Sequence, residues 1–381
     1  MDFVRQHLSQ VNRIVVKVGT HLLEGMDQGL NLKLIDHLAY QFGQAKKQKK
    51  ELILVSSGAV GAGAFMLGLR EPPEELSKRQ GLAAIGQSRL MHQYEQAFGR
   101  HDQTVAQMLL TRDTFDSRDL YLNTRNTLET LLRWDVVPII NENDTVSVDE
   151  LKFGDNDELS ALVAGKIGAD LLILMTDVDG LYDRPPDEPG AQRIPLVPKN
   201  KNLDLKVDEE TGSRFGLGGM TSKLRAISLA SETGILTHIC NGNNENIILR
   251  ILSGKANGTW FQPRGKKLSA RKRWIAARKT LADGEISIDT GAEEALCNGG
   301  NSLLPSGVTK VSGDFEKGDV IHVIGIHSEP IARGLVRFSA KELRSIQGKK
   351  SSEISQILGH RQGYAVIHRD DMLVFSGKKE L

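Results

Sequence analysis

The stretch Val15-Val16-Lys17-Val18-Gly19-Thr20 is an apolar strand pattern that carries one lysine and turns directly into a glycine. A second lysine, Lys223, ends the glycine-rich stretch Gly-Leu-Gly-Gly-Met-Thr-Ser-Lys at positions 216–223. Ammonium groups beside bare backbone N–H groups suit a transferring phosphoryl group, so the pair predicts a kinase. Each motif has an alternative when taken alone. Lys17 could lie on the surface of an edge strand, and the glycine stretch fits neither P-loop spacing nor the dinucleotide fingerprint.

Strand and helix patterns alternate around these motifs, from residue 13 to about residue 261. The strand segments are short and rich in Val, Ile and Leu, which is typical of strands buried on both faces of a sheet. The alternation predicts an α/β domain with a mainly parallel sheet sandwiched by helices, and a ligand crevice at the carboxyl ends of the strands. Asn31 is expected to cap the first long helix. The expected strands are Ile14–Val18, Glu51–Val55, Val105–Leu110, Val136–Ile140, Leu171–Thr176 and Ile235–Cys240, and further helices are expected after Leu82, Asn123, Asp157 and Ser222.

The pattern changes near residue 262. Positions 264–279 hold eight Lys or Arg residues and no acid, which indicates a solvated linker or helix face, with a nucleic-acid contact as the alternative. From residue 284 onward, short strands are broken by glycine turns, which predicts a small β-rich domain, for which we expect closure as a barrel. We therefore expect an α/β domain at 1–262, a basic linker at 263–283 and a β-rich domain at 284–376.

Charge and composition exclude several classes of protein. The chain has 381 residues, a net charge of +1 and 25% charged residues, which argues against a protein coated in nucleic acid. Its two cysteines are isolated in sequence, as expected for a reducing cytosol. The first thirteen residues lack the apolar stretch of a signal peptide, and no apolar run approaches the length of a membrane span. The expected location is the cytoplasm.

Two polar segments follow predicted strands. Ser57 opens a run of glycines and alanines after Val55, where small residues would let a helix N-terminus approach an anion; a plain strand–helix turn is the alternative. The segment Asn141-Glu142-Asn143-Asp144 follows Ile140. Polar side chains are costly to bury at a strand end, so we expect them to accept hydrogen bonds from a substrate ammonium, unless Asp144 is only a capping residue.

Two further acidic segments have structural alternatives. Asp157 follows Gly154-Asp155-Asn156 and could be only the N-cap of the next helix, but helix capping does not explain three acids among four consecutive residues. Thr176 and Asp177 follow the strand Leu171–Met175 and are expected at the rim of a nucleotide site; an ordinary Asp-Gly loop is the alternative.

The order and spacing of these motifs make the chain resemble the glutamate 5-kinases, a branch of the amino acid kinase family with a C-terminal PUA domain. The resemblance runs from Val15 to about Leu373. It rests on segments 17–20, 57–59, 86–90, 107–111, 141–144, 154–157, 176–177, 218–220 and 271–274, and on segments 302–305 and 368–372 of the PUA half. His21, where that branch usually has Ser, and Leu217, where it usually has Thr, depart from the pattern.

The resemblance implies a reaction and a set of site residues. ATP would transfer its γ-phosphoryl group to the γ-carboxylate of L-glutamate, with Mg²⁺ bridging ATP oxygens and no protein ligand for the metal assigned. Ser57, Asp144 and Asn156 would bind glutamate, and Lys17, Lys223 and Asp157 would be catalytic. The residues implied to bind ATP are Lys17, Thr176, Asp177, Leu217, Gly218, Gly219, Met220, Thr221, Ser222 and Lys223.

The implied partners and the rival functions extend beyond this reaction. The resemblance implies a homo-oligomer, L-proline as a feedback inhibitor and a role in proline biosynthesis. One alternative is another enzyme of the amino acid kinase family, acting on aspartate, N-acetylglutamate, carbamate or uridylate. A second is an accessory role in RNA binding through the PUA-like domain, supported by the basic run at 264–279.

Overall fold

A computed structural model describes residues 2–25, 29–147, 156–186, 188–199, 217–264, 272, 274–275, 284–349, 353–354 and 365–375. The chain packs as two units, Met1–Lys267 and Leu268–Leu381. The domain boundaries expected from the sequence stay a prediction, and most of the expected linker lies outside the described residues. None of the helices in the described ranges is both long and apolar enough to cross a membrane.

The first unit is built on an eight-stranded sheet with the strand order β3-β4-β2-β1-β5-β7-β8-β6. Every pairing is parallel except that of β7 with β8, so the predicted mainly parallel sheet is confirmed. The strands are β1 (Arg13–Val18), β2 (Glu51–Val55), β3 (Val105–Leu110), β4 (Val137–Glu142), β5 (Leu171–Thr176), β6 (Leu196–Val197), β7 (Leu236–Asn241) and β8 (Thr259–Phe261).

The central strands form because nearly every residue in them is apolar and buried; in β5 all six residues are buried and five of them are apolar. The helices that join and cover the strands are α1 (Asp2–Leu8), α2 (Thr20–Leu23), α3 (Leu32–Lys47), α4 (Ala59–Met66), α5 (Leu76–Gly99), α6 (Asp113–Asp116), α7 (Arg118–Arg133), α8 (Asn156–Ile167), α9 (Leu217–Glu232) and α10 (Ile247–Leu252). Asn31 caps α3 as predicted, since its side chain accepts a hydrogen bond from the Leu34 N–H at 3.1 Å.

All four of the later helix starts were predicted too far along the chain. Helix α8 begins at Asn156, so Asp157 lies inside the helix. Helix α5 begins at Leu76, before Leu82, and α7 begins at Arg118, before Asn123. Helix α9 begins at Leu217, so the described part of the glycine stretch is helical, and Lys223 lies in the second turn instead of the first. The later turns of α9 bury Leu224, Ala226 and Ile227, and this packing outweighs the poor helix propensity of the two glycines.

The second unit contains a five-stranded sheet with the order β10-β9-β11-β12-β13. Its elements are β9 (Gly284–Ile288), α11 (Thr290–Gly299), β10 (Val308–Gly313), β11 (Val320–Ile324), β12 (Pro330–Leu335), α12 (Ala340–Ile346) and β13 (Met372–Val374). Its own apolar core includes Ile286, Val323 and Phe338. The predicted β-rich domain is confirmed, while closure into a barrel stays a prediction.

Candidate functional site

Two lysines and one carboxylate form the centre of the site. Lys17 lies on β1, is 1% exposed and places its Nζ 2.7 Å from Asp157 Oδ1. Lys223 lies on α9 and places its Nζ 3.1 Å from the other carboxylate oxygen, Asp157 Oδ2. Two lysines remote in sequence therefore converge on one buried acid at the start of α8.

The carboxylate of Asp157 is ionised and fixed by its neighbours. Burial opposes its ionisation, but the charges of Lys17 and Lys223 outweigh that effect and hold the pKa of Asp157 below its ordinary value. The Ser222 hydroxyl donates a further hydrogen bond to Asp157 Oδ2 at 3.0 Å. Asp157 thus connects β1 and α9 to the first turn of α8. Its full burial and its two lysine contacts go beyond what a helix-capping role requires.

A cavity borders both lysines and is here named the lysine cavity. Lys17, Lys223, Thr176, Asp177 and Met220 line it. The Thr176 hydroxyl donates to Asp177 Oδ1 at 2.9 Å, and the Asn241 amide donates to the Asp177 backbone carbonyl at 3.2 Å. The carboxyl ends of β1, β5 and β7 therefore meet here, where a parallel sheet is expected to bind its ligand. The wall is completed by Gly19, Thr20, His21, Leu22 and Val178.

A second cavity, here named the acidic cavity, lies at the ends of β2 and β4. Ser57, Glu142, Asp144 and Asn156 line it, together with Thr20, which also lines the lysine cavity. The two cavities therefore meet at Thr20. The rest of the acidic cavity is formed by Gly58, Ala59, Val60, Gly61, Leu76, Arg79, Gln80 and Asn141.

Asn156 connects the strands that border the acidic cavity. Its Nδ2 lies 2.6 Å from the Ser56 carbonyl, 2.9 Å from Ser57 Oγ and 2.8 Å from Asn141 Oδ1. Asn141 in turn donates to Gln87 Oε1 at 2.8 Å. Because Ser57 Oγ accepts from Asn156 in this contact, its own hydroxyl hydrogen can be donated to a ligand.

The turn after Ser57 requires a glycine. Gly58 has a φ of +92°, which side-chain-bearing residues rarely adopt, and it is the residue from which α4 begins. The N–H groups at the start of α4 are thereby brought to the wall of the acidic cavity beside Ser57. This arrangement favours an anion-binding role over a plain turn.

Most of the residues singled out from the sequence are brought to these two cavities. Ser57, Asp144 and Asn156 line the acidic one, while Thr176, Asp177 and Met220 line the lysine one with both lysines. Ser222 contacts Asp157, and Thr221 is half-buried. Leu217, Gly218 and Gly219 open α9, but their side chains lie outside the description, as do Gly154 and Asp155.

Sequence reasoning missed Thr20, Arg79 and Gln80 as cavity residues. Thr20 stood in the quoted first motif but received no role. Arg79 and Gln80 precede the point at which a helix was predicted, and a Lys-Arg-Gln segment resembles any exposed helix surface. The signal that could have found them is the position of their helix beside the end of β2, which only the fold supplies.

A protein-family model described as "Amino acid kinase family" matches residues 12–241, well over half of the chain. The chain belongs to the amino acid kinase family. A second model, "PUA domain", matches residues 284–358. Every site residue named above lies inside the matched range of the amino acid kinase family, so the two cavities are features of its kinase domain.

Curated relatives cover nearly the full chain. A protein named glutamate 5-kinase from Geobacter sulfurreducens is 45% identical over 368 residues, which are 96% of this chain and 98% of that protein. Glutamate 5-kinases from Thermoanaerobacter sp. and Synechococcus sp. are 43% and 45% identical over 95% and 94% of this chain, and 97% of each relative. The chain is accordingly a kinase with the two-domain organisation of the amino acid kinase and PUA models.

Solved structures of other kinases are similar to part of this chain. One is a carbamate kinase from Giardia lamblia bound to AMP-PNP, with a TM-score of 0.49 and 18% identity, covering 66% of this chain and 98% of that one. Another is an isopentenyl phosphate kinase, with a TM-score of 0.47 and 19% identity, covering 66% and 100%.

Proposed function

We propose that this kinase transfers the γ-phosphoryl group of ATP to the γ-carboxylate of L-glutamate, giving L-glutamyl 5-phosphate and ADP, the first step of proline biosynthesis. The observation that carries the proposal is the convergence of Lys17 and Lys223 on Asp157, next to a cavity that contains two acids. The names and coverage of the curated relatives support the same acceptor.

Each of the two cavities would bind one of the two substrates. ATP would occupy the lysine cavity, with Lys17, Thr176, Asp177 and the first turns of α9 from Leu217 to Lys223 around it. Glutamate would occupy the acidic cavity, where Ser57 and Asn156 face its reacting end and Asp144 accepts hydrogen bonds from its ammonium. Thr20, shared by both cavities, would lie beside the transferred group.

Positive charge is what this transfer requires of the protein. A glutamate γ-carboxylate has an ordinary pKa of about 4.3 and is already ionised at neutral pH, so no general base is needed. The difficulty is repulsion between two anions, which Lys17 and Lys223 would reduce while Asp157 holds their ammonium groups in place. Mg²⁺ would enter as part of the Mg·ATP substrate, bound to phosphate oxygens and water.

A free ammonium distinguishes glutamate from acetylated acceptors. Asp144 and Glu142 both line the acidic cavity, and a cationic amine needs a carboxylate partner whereas a neutral amide does not. The alternative function, another amino acid kinase activity, therefore predicts that a different acceptor is phosphorylated, which a product assay can measure. A homo-oligomer, inhibition by proline, a cytoplasmic location and an RNA contact of the PUA domain stay predictions.

An ATP-dependent hydroxamate assay tests the proposal. Acyl phosphates are trapped by hydroxylamine, so L-glutamate should give γ-glutamyl hydroxamate, whereas L-aspartate and N-acetyl-L-glutamate should give little. Lys223→Met serves as the matched inactive control. Equal or greater product from N-acetyl-L-glutamate would transfer the assignment to another acceptor.

A further inference from the structure

Glutamate brings three charges into its site, and the roles assigned so far account for two of them. At neutral pH it carries an ammonium and two carboxylates. The γ-carboxylate faces the lysines, and the ammonium faces Asp144. The α-carboxylate still needs a cationic or N–H partner, because a desolvated carboxylate without one is costly.

Arg79 is the one cationic side chain among the described residues that line the acidic cavity. It lies in the first turn of α5, three residues after Leu76, and it is exposed. Within the described parts of the chain, no carboxylate pairs with its guanidinium. Its neighbour Lys78, by contrast, pairs with Glu75 at 2.7 Å and lines neither cavity.

Gln80, the residue after Arg79, links the start of α5 to the loop that carries Asp144. Gln80 Nε2 donates to the Ser147 carbonyl at 3.2 Å, and the Ser147 hydroxyl donates to Glu142 at 2.7 Å. The start of α5 is thereby held against the acidic segment at residues 142–147. A guanidinium and a carboxylate in one cavity match the adjacent α-carboxylate and α-ammonium of an amino acid.

The other anion-binding groups of the cavity lie at its reacting end. The N–H groups at the start of α4 adjoin Ser57, which contacts Asn156, the residue next to Asp157. That end adjoins Asp157, which both lysines contact, while Arg79 belongs to a helix that lines the acidic cavity alone.

We infer that Arg79 binds the α-carboxylate of the amino acid acceptor and makes the enzyme specific for acceptors that carry one. The inference rests on the proposed function and adds a specificity residue to it. Binding at a group remote from the reaction is equally strong in the ground state and the transition state. Its loss should therefore raise KM for glutamate and leave kcat almost unchanged.

The test uses L-glutamate and L-isoglutamine, in which the α-carboxylate is a neutral carboxamide and the γ-carboxylate is intact. The full-length enzyme should prefer glutamate in kcat/KM by roughly 30-fold or more, the size of a hydrogen-bonded charge pair. Arg79→Gln should remove most of that preference by weakening glutamate alone, and Arg79→Lys should restore part of it. The matched control Lys78→Gln should keep the full preference.

Each other outcome overturns the inference. If Arg79→Gln keeps the preference for glutamate, the α-carboxylate is bound elsewhere. If Arg79→Gln lowers kcat/KM equally for both substrates, Arg79 has only a structural role. Activity of the variant with isoglutamine reports whether the variant is folded. If the unaltered enzyme phosphorylates neither amino acid, the proposed function fails together with the inference. If it phosphorylates glutamate but Arg79→Gln keeps the preference, only the inference fails.

Discussion

One carboxylate, that of Asp157, contacts two ammonium groups in the centre of the site. Lys17 and Asp157 are almost fully buried, and Lys223 is 8% exposed. Removing water from such a group is costly unless its charges are paired. Two ammonium groups that are already held in place would stabilise the charge that develops on a transferring phosphoryl group, without reorganisation during the reaction.

Lys223→Met tests this role at the level of one residue. We expect kcat to fall by about 100-fold or more, with a much smaller rise in the KM for glutamate, because the ammonium acts on charge that develops during transfer. Steady-state kinetics with both substrates varied would measure it. Arg225→Met is the control, since Arg225 is an exposed cation on the same helix that lines neither cavity. A kcat within a few-fold of the unaltered enzyme would place Lys223 away from the phosphoryl group.

Cavity residues that lie near the end of an apolar strand could be picked out from the sequence. Lys17 and Thr176 are examples, since β1 and β5 are buried on both faces and therefore read as continuous apolar runs. The pairing of both lysines with Asp157 could not be predicted in the same way. It depends on the placement of α8 and α9, whose contacts are long-range in the chain.

At the level of single elements, α4 and α5 cross with their backbones in contact. A Cβ added to Gly86 would lie 1.8 Å from the Ala59 carbonyl oxygen, and one added to Gly63 would lie 2.0 Å from the Leu82 carbonyl oxygen. Both helices also line the acidic cavity. The spacing of these two helices therefore sets the position of Arg79 relative to Ser57.

Gly86→Ala should force the two helices apart. We expect the free energy of unfolding to fall by about 1–3 kcal/mol, as for other overpacked sites, and the KM for glutamate to rise. The matched control is Gly81→Ala on the same helix, where an added Cβ meets nothing within 4 Å. Since alanine is the better helix former, that variant should gain up to about 1 kcal/mol. Denaturant unfolding measures both, and equal effects of the two substitutions would contradict the close approach.

Helix α8 carries Lys166, the third buried lysine among the described residues, which the proposed reaction does not use. Lys166 is fully buried, its Nζ lies 4.3 Å from the Phe115 ring centroid and 4.4 Å from that of Tyr121, and it donates to the Thr114 carbonyl at 3.3 Å. Burial lowers the pKa of Lys166 to about 7. The rings and the carbonyl favour the ammonium form and offset part of that effect.

Stability should therefore rise with pH above neutrality. An unfolded lysine has a pKa of about 10.4, so between pH 7 and 10 unfolding takes up a proton at Lys166. Lys166→Met should remove this slope and raise the free energy of unfolding at pH 6 by about 1–3 kcal/mol. Denaturant unfolding across that pH range would measure the change, with the exposed Lys33→Met as the control. An unchanged slope in Lys166→Met would show that this lysine stays charged in the folded state.

Helix boundaries were harder to predict than helices themselves. Glu75 precedes α5 without a side-chain cap hydrogen bond, so the helix has no start signal, and its first turns are polar and mostly exposed. Asn31 does cap α3, and that start was predicted correctly. The error at α5 explains why Arg79 and Gln80 were not recognised as cavity residues.

At the scale of the whole molecule, the kinase site belongs to one unit of the chain. All residues that line the two cavities precede Lys267, and each unit has its own apolar core. The change from alternating strands and helices to short strands with glycine turns made this division predictable from the sequence. The pairing of β11 with β9 in a parallel ladder was not, because the pattern of a strand does not specify its neighbour.

A chain ended at Arg264 should therefore retain the chemistry. The Arg264 N–H donates to Ser231 Oγ at 2.9 Å and anchors the segment after β8 to α9, which is why the end is placed after this residue. We expect kcat to stay within a few-fold of the full-length value, because every charge that acts on the phosphoryl group is kept. The hydroxamate assay measures this, and circular dichroism confirms that the shortened chain is folded. A folded product that had lost its kcat would mean that the second unit contributes to catalysis, whereas a rise in KM alone would indicate an effect on binding.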